Sequence, residues 1–254
     1  MGEWRALINE LDAWTAAGLT ATFWWRDDDG VAPTEQLDRL LATAEPLPIA
    51  LAIISGWTTK ALAERLDGCQ RITVLQHGWH HTNHGSPTMR TEYSGDRPAD
   101  DVMKELRQGR ERMSALFGRL FQPVFVPPWY HFDDTFLPLL LQSGLWSMSR
   151  KGARSSTAKG AGIFEGNVHA DLLEWQHPPA FVGTGTAIAQ LIGHLRQRRL
   201  GLCDIDEPTG ILTHHANQDL PAYDFIERLA ELTTAHKAAK WLRASEIFPA
   251  DGPT

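Results

Sequence analysis

The chain has 254 residues, enough for one large α/β domain or two small ones. It is 43% hydrophobic and 22% charged, an ordinary globular balance that argues against disorder, and its net charge of −7 disfavours nucleic acid and anionic membrane as partners. Its two cysteines, Cys69 and Cys203, stand far apart and form no metal-type pair; no apolar stretch approaches membrane-spanning length; and the start Met-Gly-Glu-Trp-Arg-Ala lacks a basic segment followed by an apolar run, so a cytoplasmic location is expected.

Trp4, Leu7, Ile8, Leu11 and Trp14 recur at helical spacing and predict an amphipathic helix over 4–17, ending at Gly18. A β-branched and aromatic strand over 20–26 runs into Asp27-Asp28-Asp29-Gly30. Pro33 opens a helix over 34–44, and the continuously apolar 48–54 reads as a fully buried strand. A helix over 58–66 precedes a third strand over 71–76. That strand leads into Leu-Gln-His-Gly-Trp-His-His-Thr-Asn-His-Gly at 75–85, which holds four of the chain's 11 histidines. The polar 82–98 is a loop and 99–117 a long helix. A strand over 123–126 ends in Pro127-Pro128-Trp129, followed by a helix over 133–142 and a strand over 145–149.

The Gly-, Ser- and Lys-rich 150–167 reads as a long loop, a lid or mobile segment whose cations are solvated. A strand over 171–175, a helix over 184–199, a strand over 211–214, a helix over 221–236 and a strand-like piece at 241–247 complete the chain. Trp24, Trp25 and Trp57 are read as core. There is no repeat or linker, so residues 1–254 are expected to form a single domain. Strand then helix, repeated about seven times, is the pattern of a parallel sheet. The length suits a closed βα barrel, with a doubly wound open sheet as the alternative. No Gly-x-Gly-x-x-Gly turn follows the first strand, so nothing supports a dinucleotide site.

Histidines four apart share a helical face, and two pairs have that spacing, His77/His81 and His80/His84. Spacing alone does not choose between them. Asp28/Asp29, His77/His81, Pro128/Trp129 and His214 each follow the C-terminal end of a predicted strand. In a βα barrel those ends converge on one face, where active sites are built.

With these residues in place the sequence resembles the polysaccharide deacetylases, the domain type of chitin, peptidoglycan and nodulation-factor deacetylases. The family's Thr-Phe-Asp-Asp-Gly is met by Asp28-Asp29-Gly30, its His-three residues-His by His77 to His81, and its Leu-x-His by Leu212-Thr213-His214. Its Arg-x-Pro-Trp/Tyr reads Val126-Pro127-Pro128-Trp129, without the arginine. Motifs span residues 20 to 216. The resemblance implies a seven-stranded, incompletely closed βα barrel. It makes Asp28 the general base, Asp29, His77 and His81 ligands of one divalent metal, most simply zinc, and His214 the general acid.

Two imidazoles and a carboxylate are a common catalytic zinc set that leaves a coordination position open. A carboxylate can act as base toward water, and an acid must protonate the leaving amine. His214 and His215 are adjacent, so strand alternation lets only one face the site. Trp79 and Trp129 are read as flanking the metal, where an indole stacks on a sugar face, with Pro128 beside them in the substrate-binding set. His169 and Asp171 are further pocket candidates.

The missing arginine leaves Asp28 without its family partner. Arg26 lies two residues earlier, on the same side of a strand, and its guanidinium can grip a carboxylate with two hydrogen bonds. Arg26 is therefore expected to reach Asp28, the alternative being a pair with Asp27. The function implied is a metal-dependent hydrolase removing acetyl from an N-acetylated sugar or sugar-bearing metabolite, acting on a small-molecule or oligosaccharide substrate. The alternatives are a degenerate carbohydrate- or protein-binding relative and a facial-triad Fe(II) enzyme.

Overall fold

A computed structural model describes residues 2–175 and 178–250. Its strands are β1 (Ala21–Gly30), β2 (Ile49–Ile53), β3 (Ile72–His77), β4 (Phe121–Val126), β5 (Ser147–Met148), β6 (Phe164–Glu165), β7 (Ala170–Asp171), β8 (Leu173–Glu174), β9 (Ala180–Phe181), β10 (Thr209–Thr213) and β11 (Ala239–Trp241). The main sheet runs β6-β5-β4-β3-β2-β1-β10-β7, with β11 also pairing β1, and all its ladders are parallel. β8 and β9 form a separate antiparallel pair.

The sheet curls. Arg26 on β1 bonds to Ser149, just past β5, although β2, β3 and β4 lie between them along the sheet. The two end strands, β6 and β7, do not pair, so the barrel is incomplete. The sheet has nine strands where seven were expected, because its rim is built of two- and three-residue pieces that sequence periodicity cannot resolve.

Strand alternation divides the core. Phe23, Trp25, Leu51, Ile53, Val74 and Ile211 point outward, against helices Gly2–Ala16, Glu35–Thr43, Thr184–Arg199 and Leu220–Thr234. Trp24, Ala50, Ala52, Leu75, Val124, Val126 and Leu212 point inward and pack with Phe248. Alanines on β2 leave room for Trp24, whose Nε1 donates to the Asn167 carbonyl. Each leucine, valine or phenylalanine among them contributes about 1.5–3 kcal/mol on burial. The same parity carries Arg26, Asp28 and His77 to the inner side above the apolar floor.

Most predicted helices stand within two residues of their expected limits, helped by side-chain caps at Thr34, Thr59 and Asp219. Four readings change. β1 continues through the three aspartates to Gly30, because each aspartate finds a partner and need not stay in water. The segment 150–167 is not a plain loop: it holds a helix, Ser156–Gly160, capped by Ser155, and its Arg150 pairs with Glu165 at 2.7 Å. The strand-like end is β11 followed by a helix, Ala244–Ile247. Trp57 is 56% exposed rather than core. Among the described residues no helix is long and apolar enough to cross a membrane.

Candidate active site

The three consecutive aspartates have three different partners. Asp27 accepts from Thr213 Oγ1 at 2.6 Å and faces His215 Nδ1 at 2.5 Å. Asp28 is held by Arg26, Nε to Oδ1 at 2.8 Å and Nη2 to Oδ2 at 3.0 Å, with both side chains buried. Arg26 Nη1 donates to the Ser149 carbonyl oxygen at 2.9 Å and to Ser149 Oγ at 2.6 Å, which fixes the guanidinium from across the barrel. Arg26 thus pairs with Asp28 and not Asp27. Val126 is fully buried in the apolar floor.

Asp29 leaves the strand pattern with φ +69, and the β1–β2 register shifts at this point. The twist turns its carboxylate toward β3, so that Oδ1 lies 3.1 Å from His77 Nε2 and 3.4 Å from His81 Nε2. Asp29, His81, Trp129 and Tyr130 are the positive-φ residues other than glycine among those described, and all four line one cavity of about 460 Å³. Such conformations cost about 1–3 kcal/mol each and persist where the surroundings impose them, as at binding sites.

Asp29, His77 and His81 can present one ligand atom each, all within 4.8 Å of one another. The proton positions fit a metal. His77 Nδ1 lies 3.0 Å from the Val126 carbonyl oxygen, which only accepts, so Nδ1 carries a proton, and Nε2, turned to Asp29, is the nitrogen at which a metal would take a proton's place. Burial and the neighbouring His77 push His81 down to about 4, leaving it neutral at pH 7. Burial opposes the charge on Asp29, but the His77 hydrogen bond outweighs it and holds the carboxyl well below the usual range.

A second two-histidine, one-carboxylate group, His169, His194 and Glu207, has a comparable spacing. It lines another cavity of about 490 Å³. There the protons are placed the opposite way. His169 Nδ1 accepts the Gly210 N–H at 3.1 Å, so its proton sits on Nε2, the atom facing Glu207 Oε1 at 3.5 Å. Arg154 Nε lies 3.6 Å from the same oxygen. None of these three atoms makes a hydrogen bond, but with Nδ1 accepting from Gly210 no imidazole lone pair is free at His169. The two clusters thus differ in the imidazole nitrogens that they leave for a metal.

His214 lines the first cavity, its ring edge-on to Trp175 with centroids 4.7 Å apart, whereas His215 turns away to Asp27. Trp129 and Tyr130 complete one wall; Trp129 packs on His81 with centroids 4.2 Å apart, and the Tyr130 hydroxyl donates to Asp171 at 3.2 Å. Trp79 and Pro128 do not line the cavity. Trp79 packs on His80, and Pro128 is buried behind Gly78. His80 and His84 also lie outside it. Of the pocket candidates, His169 belongs to the other cavity and Asp171 anchors Tyr130 and Lys151 from behind.

Sequence reading missed Glu92. Its carboxylate, 1% exposed as a residue, accepts the backbone N–H of Trp79 at 3.0 Å and of His80 at 2.7 Å. It thereby shapes the turn between His77 and His81. Gly78, at φ +56, is required there, since a Cβ would fall 2.0 Å from Glu92 Oε2. No local signal in the loop marks a glutamate 15 residues past His77. Glu92→Gln keeps the shape but turns one acceptor into a donor facing an amide. It is expected to weaken zinc binding about tenfold or more. Chelator competition measures this, and unchanged affinity would mean the turn is held by other contacts.

No family model and no curated protein matches the chain. Its fold is similar to solved structures. The Bc1960 peptidoglycan N-acetylglucosamine deacetylase aligns with TM-score 0.57 and 13% identity over 94% of this chain and 98% of its own. The catalytic domain of a peptidoglycan N-acetylglucosamine deacetylase from Eubacterium rectale aligns with TM-score 0.55 and 12% identity over 92% and 93%. A family 4 carbohydrate esterase from Streptomyces lividans, solved in complex with acetate, aligns with TM-score 0.53 and 17% identity over 92% and 98%. At these identities the likeness shows the fold alone: the chain, in which Asp28, Asp29, His77, His81 and His214 line one cavity, has the fold of these solved deacetylases.

Proposed function

We propose that the protein is a metal-dependent hydrolase that removes an acetyl group from an N-acetylated sugar or sugar-bearing metabolite. The observation that carries this is one cavity holding the Asp29-His77-His81 cluster together with a second carboxylate, Asp28, and a further imidazole, His214. A divalent metal, zinc in this reading, would be held by Asp29, His77 and His81, and supplies Lewis acidity toward an amide carbonyl and the attacking water.

The chain's own residues carry the proton chemistry. Asp28, fixed by Arg26, takes a proton from the attacking water. His214 gives one to the departing amine, which cannot leave as an anion. Trp175, half-exposed beside His214, and Trp129 offer aromatic surface to a sugar ring. Val126 favours a degenerate binding protein, but Arg26 supplies the guanidinium that Val126 lacks. A carboxylate so paired, with His214 opposite, has no part in facial-triad oxygen chemistry.

The test is acetate release from N-acetylated sugars by the zinc-loaded protein. Asp28→Asn is expected to keep the metal and to lower turnover at least a hundredfold, since general base catalysis contributes about 10²–10⁴. His214→Ala is expected to do the same, and His215→Ala to be milder. Unchanged turnover in Asp28→Asn would remove the mechanism.

A further inference from the structure

Arg90 sits at the mouth of the candidate active site, in the loop that runs from His81 to the helix Ala99–Phe117. The loop is pinned on either side of it. Asn83 Oδ1 accepts the N–H groups of Gly85 and Thr91, and Thr91 Oγ1 donates to the His131 carbonyl oxygen at 2.9 Å. The guanidinium lies over the Trp129 ring, 5.2 Å from its centroid, and Trp129 in turn packs on His81. Arg90 is therefore two contacts from a metal ligand.

The other cations around this cavity are matched. Arg26 holds Asp28, Lys151 holds Asp171 at 2.9 Å, and Arg150 holds Glu165. Among the described residues Arg90 has no carboxylate partner and no hydrogen bond; its guanidinium rests on the face of Trp129. All its N–H donors are free beside a cavity whose two carboxylates face other partners, Asp28 facing Arg26 and Asp29 the histidines His77 and His81. A guanidinium is weakly hydrated and matches a phosphate or carboxylate with two parallel hydrogen bonds. Placed on an aromatic wall, it is pre-oriented for that task.

We infer that the substrate is an anionic N-acetyl sugar, one bearing a phosphate or carboxylate group, and that Arg90 binds this group while the acetamide meets the metal cluster. The inference rests on the deacetylase reading for the identity of the reacting group, but its own evidence is the unmatched cation at the mouth. A charge at the mouth also steers an anionic ligand inward, against the chain's overall charge of −7.

The experiment is calorimetric binding to the zinc-loaded protein of N-acetylglucosamine 1-phosphate, N-acetylmuramic acid and the neutral methyl glycoside of N-acetylglucosamine, with Arg90→Ala and Arg90→Lys alongside. The wild-type protein is expected to bind at least one anionic sugar about tenfold more tightly than the glycoside, and the preference should shrink in 0.5 M salt. Whichever of the two binds identifies phosphate or carboxylate. Arg90→Ala should erase the preference and leave glycoside binding unchanged, and Arg90→Lys should restore part of it. The inference is overturned if all three sugars bind alike, if none binds, if the preference survives Arg90→Ala because the metal alone supplies it, or if Arg90→Ala weakens all three equally by disturbing Trp129. A preserved, Arg90-dependent preference without acetate release would instead overturn the deacetylase reading and leave this one standing.

Discussion

Replacing Arg26 with alanine is expected to lower turnover about a hundredfold or more while the protein keeps its metal. The guanidinium is fully buried and makes two of the hydrogen bonds that hold Asp28, with Ser149 fixing it from the far side of the barrel. Without it, the Asp28 carboxylate would stay buried and uncompensated beside the metal cluster. Breaking a buried pair by removing one partner destabilises by about 3–5 kcal/mol, so a fall in melting temperature is expected as well. The rate effect has a separate cause. A displacement of a reacting group by about 1 Å costs on the order of 10²-fold.

Arg26→Lys separates the two effects. It restores a positive charge but cannot form two parallel N–H bonds, so it should recover part of the stability and little of the rate. Metal content, thermal melting and acetate release together check the outcome. A stable Arg26→Ala protein with full turnover would show that Asp28 does not depend on Arg26.

Removing His77 or His81 is expected to have the other large effect, loss of bound zinc and with it all hydrolysis. His77→Ala removes the Nε2 turned to Asp29, and His81→Ala removes a neutral imidazole on the other side of Asp29. Two ligands do not retain a metal that needs three from the protein. His80→Ala and His84→Ala should keep about one zinc per chain, because neither side chain reaches the cavity. His169→Ala should keep it too, since that ring turns an N–H toward Glu207 instead of offering a lone pair. Elemental analysis after dialysis reads all five variants. Equal loss across them would sink the ligand assignment, and loss in His169→Ala alone would move the metal to the other cavity.

The parallel strand–helix order, the inward apolar strands and the positions of Asp28, Asp29, His77, His81 and His214 at strand ends were legible in the sequence. These follow from local chemistry: periodicity marks which face of an element is buried, and polar residues at the end of an apolar strand have to leave the core together. The Arg26–Asp28 pairing was legible for the same reason, since alternation puts residues two apart on one side of a strand. Other features depended on chain segments distant in sequence. Glu92 supports the histidine turn only because the loop folds back beneath it, and Trp79 leaves the cavity because that turn points it at His80. The motif resemblance already preferred His77/His81 to His80/His84, but telling this cluster from His169/His194/Glu207 needed hydrogen-bond partners from β4 and β10, Val126 and Gly210. A histidine becomes a ligand through the atom its other nitrogen meets, and the partner that decides it lies some 40 to 50 residues away in each case. Spacing cannot encode that; the tertiary structure does.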